Sequence, residues 1–273
     1  MAISQKVLDA LKASEQPLEN VKPTFKAVLY GPVGVGKTYT AMSIADSVTP
    51  EGKSIIYIDY AEGWTAIQNN ERIVSRSRRF TFDSFRQLEY LAEAIKEKAP
   101  GFEDVGTIVL DEYSSMVDAN LEFIVDEMYK EDSSKYDQYM PEWPHFNRNK
   151  KMATRVHRRF NRIPGVNVFY IAHAKERVEQ DTGKNYVEPN FNPSYGKDFL
   201  QDLQLVGYMT AEVRQDKYTR KIQVQPERRV AAKNRLGFEK TTISPAQLAE
   251  AVNIFLGKTE KPEIKKIQPV EVK

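Results

Sequence analysis

The chain has 273 residues, 41% hydrophobic and 29% charged, with 40 basic against 38 acidic side chains and a formal net charge of +2. This is the composition of a globular protein able to bury a core in one large domain or two small ones, and the near-neutral balance excludes binding of polyanions by the whole surface. The absence of cysteine removes disulfide scaffolds, thiolate zinc sites and cysteine nucleophiles, and fits a reducing, cytoplasmic setting. No apolar run approaches the roughly 20 residues that span a bilayer, and no signal-peptide h-region opens the sequence, so no membrane partner is expected.

Residues 1–24 carry a short periodic stretch (Val7, Leu8, Leu11) followed by SEQPLENVKPT, and read as a leader with one small helix. The strand FKAVLY (Phe25–Tyr30) then runs into GPVGVGKT, Gly31 to Thr38, which satisfies G-x-x-x-x-G-K-[ST] and opens the helical stretch YTAMSIADSV. That is the context a P-loop requires. Glycines let successive backbone N–H groups turn toward phosphate oxygens, and the helix adds its positive end. Gly31, Pro32, Val33, Gly34, Val35, Gly36, Lys37, Thr38 and Tyr39 are therefore the expected phosphate cradle. Lys37 would reach the β- and γ-phosphates, and the Thr38 hydroxyl would ligate Mg²⁺.

Further strands are expected at Ser54–Tyr60, Arg79–Phe82, Thr107–Asp111 and Val166–His173, alternating with helices. Their near-continuous hydrophobicity indicates a mainly parallel α/β sheet buried on both faces. TIVLDE ends in Asp111, a Walker-B-type acid for Mg²⁺, and Glu112 follows it. A cluster at Arg72, Arg76, Arg78 and Arg79 is less organised as a cationic surface and equally suits a helix end. Residues 148–162, RNKKMATRVHRRFNR, hold seven basic side chains and no acid. At 100° per residue, Met152, Ala153, Val156 and Phe160 form an apolar seam, and Arg148, Lys151, Arg155, Arg158, Arg159 and Arg162 form a cationic arc suited to a phosphate backbone. A solvated face or a subunit contact is the plainer alternative.

Two polar stretches flank this region. EDSSKYDQYMPEWPHFNRNKK contains Tyr136, Tyr139, Trp143 and Phe146, and AKERVEQDTGKNYVEPNFNPSYGKD contains Lys175, Arg177, Lys184, Tyr186, Phe191, Tyr195 and Lys197. Interleaved aromatics and cations suit single-stranded nucleic acid, although aromatics in loops also anchor them to a core. LVGYMTAEVRQ and YTRKIQVQ read as an antiparallel hairpin at the sheet edge, Pro245–Leu256 as a final helix, and residues 258–273 as a disordered tail. Residues 25–257 thus form one expected domain.

The order of motifs resembles the RecA-like P-loop ATPases, and in particular compact bacteriophage core proteins associated with single-strand annealing and homologous recombination. A strand inserted between the Walker A and Walker B strands, with a water-polarising glutamate, marks the branch that holds RecA-like and AAA+ proteins. The resemblance implies a three-layer fold with ATP and Mg²⁺ as cofactors. It also implies nucleotide at the interfaces of a homo-oligomer, and single-stranded DNA as partner. It places the general base at Glu62 of DYAEGW, one residue further on than the family's spacing, with Glu112 of the Asp111-Glu112 pair as the competing candidate, as in AAA+ proteins. It assigns His173 to sensing the γ-phosphate, and Lys233 and Arg235 of KNR to a cationic finger entering a neighbouring subunit. It places the DNA-binding loops in the two polar stretches. A single-strand-binding or replication protein is a further candidate partner, and a bacterial host cytoplasm the implied location. The alternatives are a replication loader or adaptor ATPase of AAA+ type, and a small-molecule kinase with its lid in residues 133–150. No N-K-x-D guanine signature is present.

Overall fold

The computed structural model describes residues 4–14, 22–178, 183, 185–191, 193–214, 217–227 and 229–259. Residues 215–216, the segment 260–273 and most of the leader beyond its helix lie outside the described residues, as do Lys184 and the tail expectation from residue 260 on.

After a short helix α1 (Gln5–Ser14), the central strands β1 (Lys26–Gly31), β2 (Ser54–Asp59) and β4 (Val105–Asp111) are buried at every position. Their alternate residues fill two cores. Val28, Tyr30, Ile56, Ile58, Ile108 and Leu110 face one side; Ala27, Leu29, Ile55, Tyr57 and Val109 face the other. Period-2 burial with apolar residues on both faces is what a sheet covered by helices on each side demands. The covering helices are α2 (Lys37–Val48), α3 (Glu71–Arg76) and α8 (Pro245–Phe255) on one face. On the other lie α4 (Phe85–Lys96), α5 (Tyr113–Glu131), α6 (Trp143–Asn161) and α7 (Pro193–Gln201).

With β3 (Ser77–Thr81), β5 (Asn167–Val178), β7 (Leu205–Arg214), β8 (Lys217–Gln223) and the short β10 (Thr242–Ile243), the sheet order is β10-β8-β7-β1-β5-β4-β2-β3. Strands β7 through β3 in that order pair in parallel, and β8 and β10 add an antiparallel edge. The fold is therefore a three-layer α/β P-loop architecture with an edge hairpin. The strand that separates Walker A from Walker B in space is β5, paired to both β1 and β4. The two strands lying between the motifs in sequence, β2 and β3, sit beyond β4.

Three sequence expectations need correction. Strand β5 does not stop at His173; it continues to Val178 and pairs antiparallel with β6 (Asn185–Pro189). The second polar stretch is therefore largely a β-ribbon followed by α7, and its Phe191 and Tyr195 are buried against Tyr113 and Phe199. Apolar burial, not exposure to a ligand, fixes those two rings. The arginine cluster on α3 and β3 follows the helix-end alternative and not a cationic surface: Arg72 and Arg76 pair with Asp46, Arg78 with Asp104 and Arg79 with Asp59. Arg76 also donates to the carbonyls of Asp46, Thr49 and Pro50, closing the end of α2. Among the described residues, no helix is long and apolar enough to cross a membrane.

Candidate functional site

Strand β1 delivers the loop 32–36 to the start of α2. Gly36 has φ 85°, a left-handed conformation that favours glycine. Lys37 lies buried and donates through Nζ to the carbonyls of Gly31 (3.1 Å) and Pro32 (2.9 Å). Burial lowers its pKa, while Glu112 and Asp111 oppose that shift. Thr38 Oγ1 donates to Asp111 Oδ2 at 2.7 Å, joining Walker A to the end of β4. The same carboxylate oxygen accepts from Tyr57 Oη at 2.7 Å.

Asp59, Asp111 and Glu112 are each at most 4% exposed. Burial raises the Asp111 pKa; hydrogen bonds from Thr38 and Tyr57 lower it, and the charges of Asp59 and Glu112 raise it again. Neighbouring buried carboxylates favour a cation among them. Thr38 and Asp111 present a hydroxyl and a carboxylate side by side, the oxygen donors that Mg²⁺ takes together with phosphate and water. Among the described residues no group of three or more acids or histidines gathers to hold a metal without such help.

The two candidate bases are in contrasting states. Glu112, joined to Asp111 by a cis peptide bond, caps α5. It accepts from the Ser114 hydroxyl, Ser115 N (3.2 Å), Ser115 Oγ (2.6 Å) and His173 N (2.8 Å), with His173 Nε2 3.3 Å away. Four donors occupy a carboxylate that has about four lone-pair positions. Glu62 is exposed, has no side-chain partner among the described residues, and sits at φ 55°, ψ 30°. Non-glycine residues in that region concentrate at functional sites. It is followed by Gly63, whose N donates to Asp59 at 2.9 Å. A Cβ on Gly63 would lie 2.4 Å from Asp111 Oδ2 and 2.6 Å from Tyr57 Oη. Sequence reading missed both Gly63 and Tyr57: the glycine in AEGW was visible, but only the fold shows what it packs against.

His173 lies opposite Gly31 in the β1–β5 register and so stands beside the loop. Lys233 and Arg235 do not. Strand β9 (Lys233–Asn234) pairs with Leu205–Val206 at the start of β7, four residues, or about 13 Å, from Met209, whose carbonyl packs on Gly31. Their side chains donate to the carbonyls of Leu200 and Gln201.

On α6 the cations divide. Arg148 pairs with Glu127, Arg155 with Glu89 (2.6 Å), and Arg159 with Glu93 (2.9 Å). Lys151, Arg158 and Arg162 have no carboxylate partner among the described residues. At 100° per residue these three fall within an arc of about 40°, over about 16 Å of helix. With Lys150, Thr154 and Asp198, and with the ion-paired Arg155 and Arg159, they line a groove of about 710 Å³. Trp143, 75% exposed, lines a neighbouring groove of about 470 Å³ that shares Lys151 with the first; Tyr139 is 84% exposed.

The model of one protein family, described as AAA domain, matches residues 24–236. No curated protein matches the sequence. Among solved structures, the chain is similar to a RadB recombinase, at 15% identity over 82% of this chain and 89% of that one with a TM-score of 0.46. It is also similar to a KaiC-like protein from the archaeon Pyrococcus horikoshii OT3, at 14% identity over 75% and 79% with a TM-score of 0.39. At such scores these likenesses add nothing to the topology and the motifs. The matched family, the strand order and the joined Walker motifs lead to one conclusion: the chain belongs to the AAA domain family and carries the phosphate loop and Walker-type acid of a P-loop ATPase.

Proposed function

We propose that the chain is a Mg²⁺-dependent ATPase that binds single-stranded DNA and assembles into a homo-oligomer to promote annealing or homologous recombination. The observation that carries the DNA reading is the row of Lys151, Arg158 and Arg162, without carboxylate partners among the described residues, in a groove that shares Lys151 with the one lined by exposed Trp143. Phosphates would follow the cations while bases stack on the ring. Bound Mg²⁺ would supply Lewis acidity to the phosphate oxygens, with Thr38 and Asp111 holding it. Lys37 would exchange its two carbonyl acceptors for phosphate oxygens. Glu62, the glutamate with uncommitted lone pairs, would take the proton of the attacking water. His173, in contact with Glu112 and one strand from the loop, would sense the γ-phosphate. Lys233 and Arg235, remote from their own chain's loop, would exchange their carbonyl acceptors for phosphate in a neighbouring subunit's site.

The test is ATP hydrolysis with and without oligo-dT, alongside mass measurement of the assembly. DNA-stimulated turnover that Lys37→Ala abolishes, in an ATP-dependent oligomer, is the expected result. Turnover indifferent to both DNA and Lys37 removes the assignment. A second reading, a nucleotide-gated loader or adaptor, draws on the ion pairing of Arg148, Arg155 and Arg159, which leaves half of the cationic arc neutralised. It predicts ATPase activity with no DNA affinity.

A further inference from the structure

The β7–β8 hairpin does more than close the sheet edge, because its second strand lies on the phosphate loop. Tyr218 Oη donates to the Gly34 carbonyl at 3.1 Å, and Arg220 Nε donates to the Val35 carbonyl at 3.3 Å. The guanidinium packs so closely on Gly36 that a Cβ there would meet Arg220 Nε at 2.3 Å. It also lies between two rings, 5.5 Å from the centre of Tyr39 and 5.0 Å from that of Tyr218. Both rings are close to half exposed, Tyr39 at 41% and Tyr218 at 48%. Arg220 has no carboxylate partner among the described residues, and its terminal nitrogens have no acceptor there.

The sheet order says which part of a nucleotide this stack would meet. Asp111, Glu112 and His173 all lie on the β5–β4 side of β1, so the γ-phosphate end must face that way. Strands β7 and β8 lie on the opposite side of β1. A triphosphate threaded through the loop, with its β-phosphate at the start of α2, therefore leaves toward Tyr39 and Arg220. Resting on the ATPase reading, we propose that Tyr39, Arg220 and Tyr218 form the nucleoside-facing wall of the site. The flat base continues the tyrosine–guanidinium stack, and this wall distinguishes a nucleotide from a bare polyphosphate. Cation–π and stacking contacts of this kind need the planar guanidinium as well as its charge.

Calorimetric titration of the full chain with Mg²⁺-ATP and with Mg²⁺-tripolyphosphate separates the possibilities. Arg220→Lys keeps the charge and loses the plane, and Tyr39→Leu removes a ring. Each is expected to weaken ATP about tenfold and to leave tripolyphosphate nearly unchanged. Tyr218→Phe, which keeps the ring, should retain ATP affinity. Equal weakening of both ligands would mean that Arg220 only shapes the loop, and unchanged ATP affinity would mean that the base lies elsewhere; either overturns the proposal. A wild-type chain that binds neither ligand removes the ATPase reading itself. Normal wild-type ATP binding with unaffected variants removes only the wall. Thermal melts of each variant separate loss of binding from loss of fold.

Discussion

The division of the α6 cations gives a prediction that depends on the tertiary structure and not on charge counting. Consider two triple replacements: Lys151, Arg158 and Arg162 to Ala, and Arg148, Arg155 and Arg159 to Ala. The net charge changes equally, by three. Each phosphate neutralised on a single strand contributes about −0.7 to the slope of log K against log salt, so losing three contacts makes the slope shallower by about 2. At 0.1 M salt the same loss corresponds to about 100-fold in affinity, and it shrinks as salt rises. The second set should hardly move the slope, because those cations are already neutralised by Glu127, Glu89 and Glu93. It should instead cost stability, since Glu89 has a side chain only 9% exposed and loses its partner. A stranded buried carboxylate costs about 1–3 kcal/mol, which is about 2–12 °C in melting temperature at this size. Fluorescence anisotropy with labelled oligo-dT from 50 to 300 mM salt reads the slopes, and calorimetry reads the melting. Equal slope changes for the two sets would refute the division. No slope change in either would remove α6 from any DNA path.

Three further outcomes are expected. Glu62→Gln should lower hydrolysis by about 10²–10⁴-fold with ATP binding retained, whereas Glu112→Ala should first lower stability by about 1 kcal/mol as α5 loses its cap; a full-rate Glu62→Gln enzyme in single-turnover assays rejects Glu62 as base. Gly63→Ala, whose Cβ would strike Asp111 and Tyr57, should raise the Mg²⁺ concentration needed for half-maximal hydrolysis by about tenfold, and an unchanged Mg²⁺ titration contradicts the packing argument. Lys26, buried at the foot of β1 and bonded to the Val166 carbonyl, has its pKa lowered from 10.5 to about 7 by desolvation. Between those values the unfolded chain binds one more proton than the folded one, so stability rises with pH across that window and the penalty is fully present below about 7. Lys26→Met should flatten this rise in denaturant melts between pH 7 and 10; identical pH dependence of the two proteins would show that Lys26 stays charged when folded.

What the sequence determined by itself is the part of the protein carried by local pattern. Gly31 to Thr38 specify a phosphate loop because glycine spacing, an apolar strand and a following helix are all contiguous. The strands were legible because both faces of the sheet are covered, which makes each one an apolar run, and the edge hairpin and last helix showed their alternation and their cap. The tertiary structure alone decided which like residues differ. Phe191 and Tyr195 share their composition with Tyr139 and Trp143, yet the first two fill the core and the last two face water. Glu62 and Glu112 are both glutamates after a strand, but only folding surrounds one of them with donors from α5 and β5. Arg155 and Arg158 stand three residues apart on one helix, and a rotation toward α4 pairs one with Glu89 and leaves the other without a carboxylate among the described residues. Arg220, 184 residues from Gly36, reaches the phosphate loop only because β7 pairs with β1. Sequence periodicity fixes the face of an element; which neighbours that face meets is set by pairings distant along the chain, and burial, charge and free lone pairs follow from those neighbours.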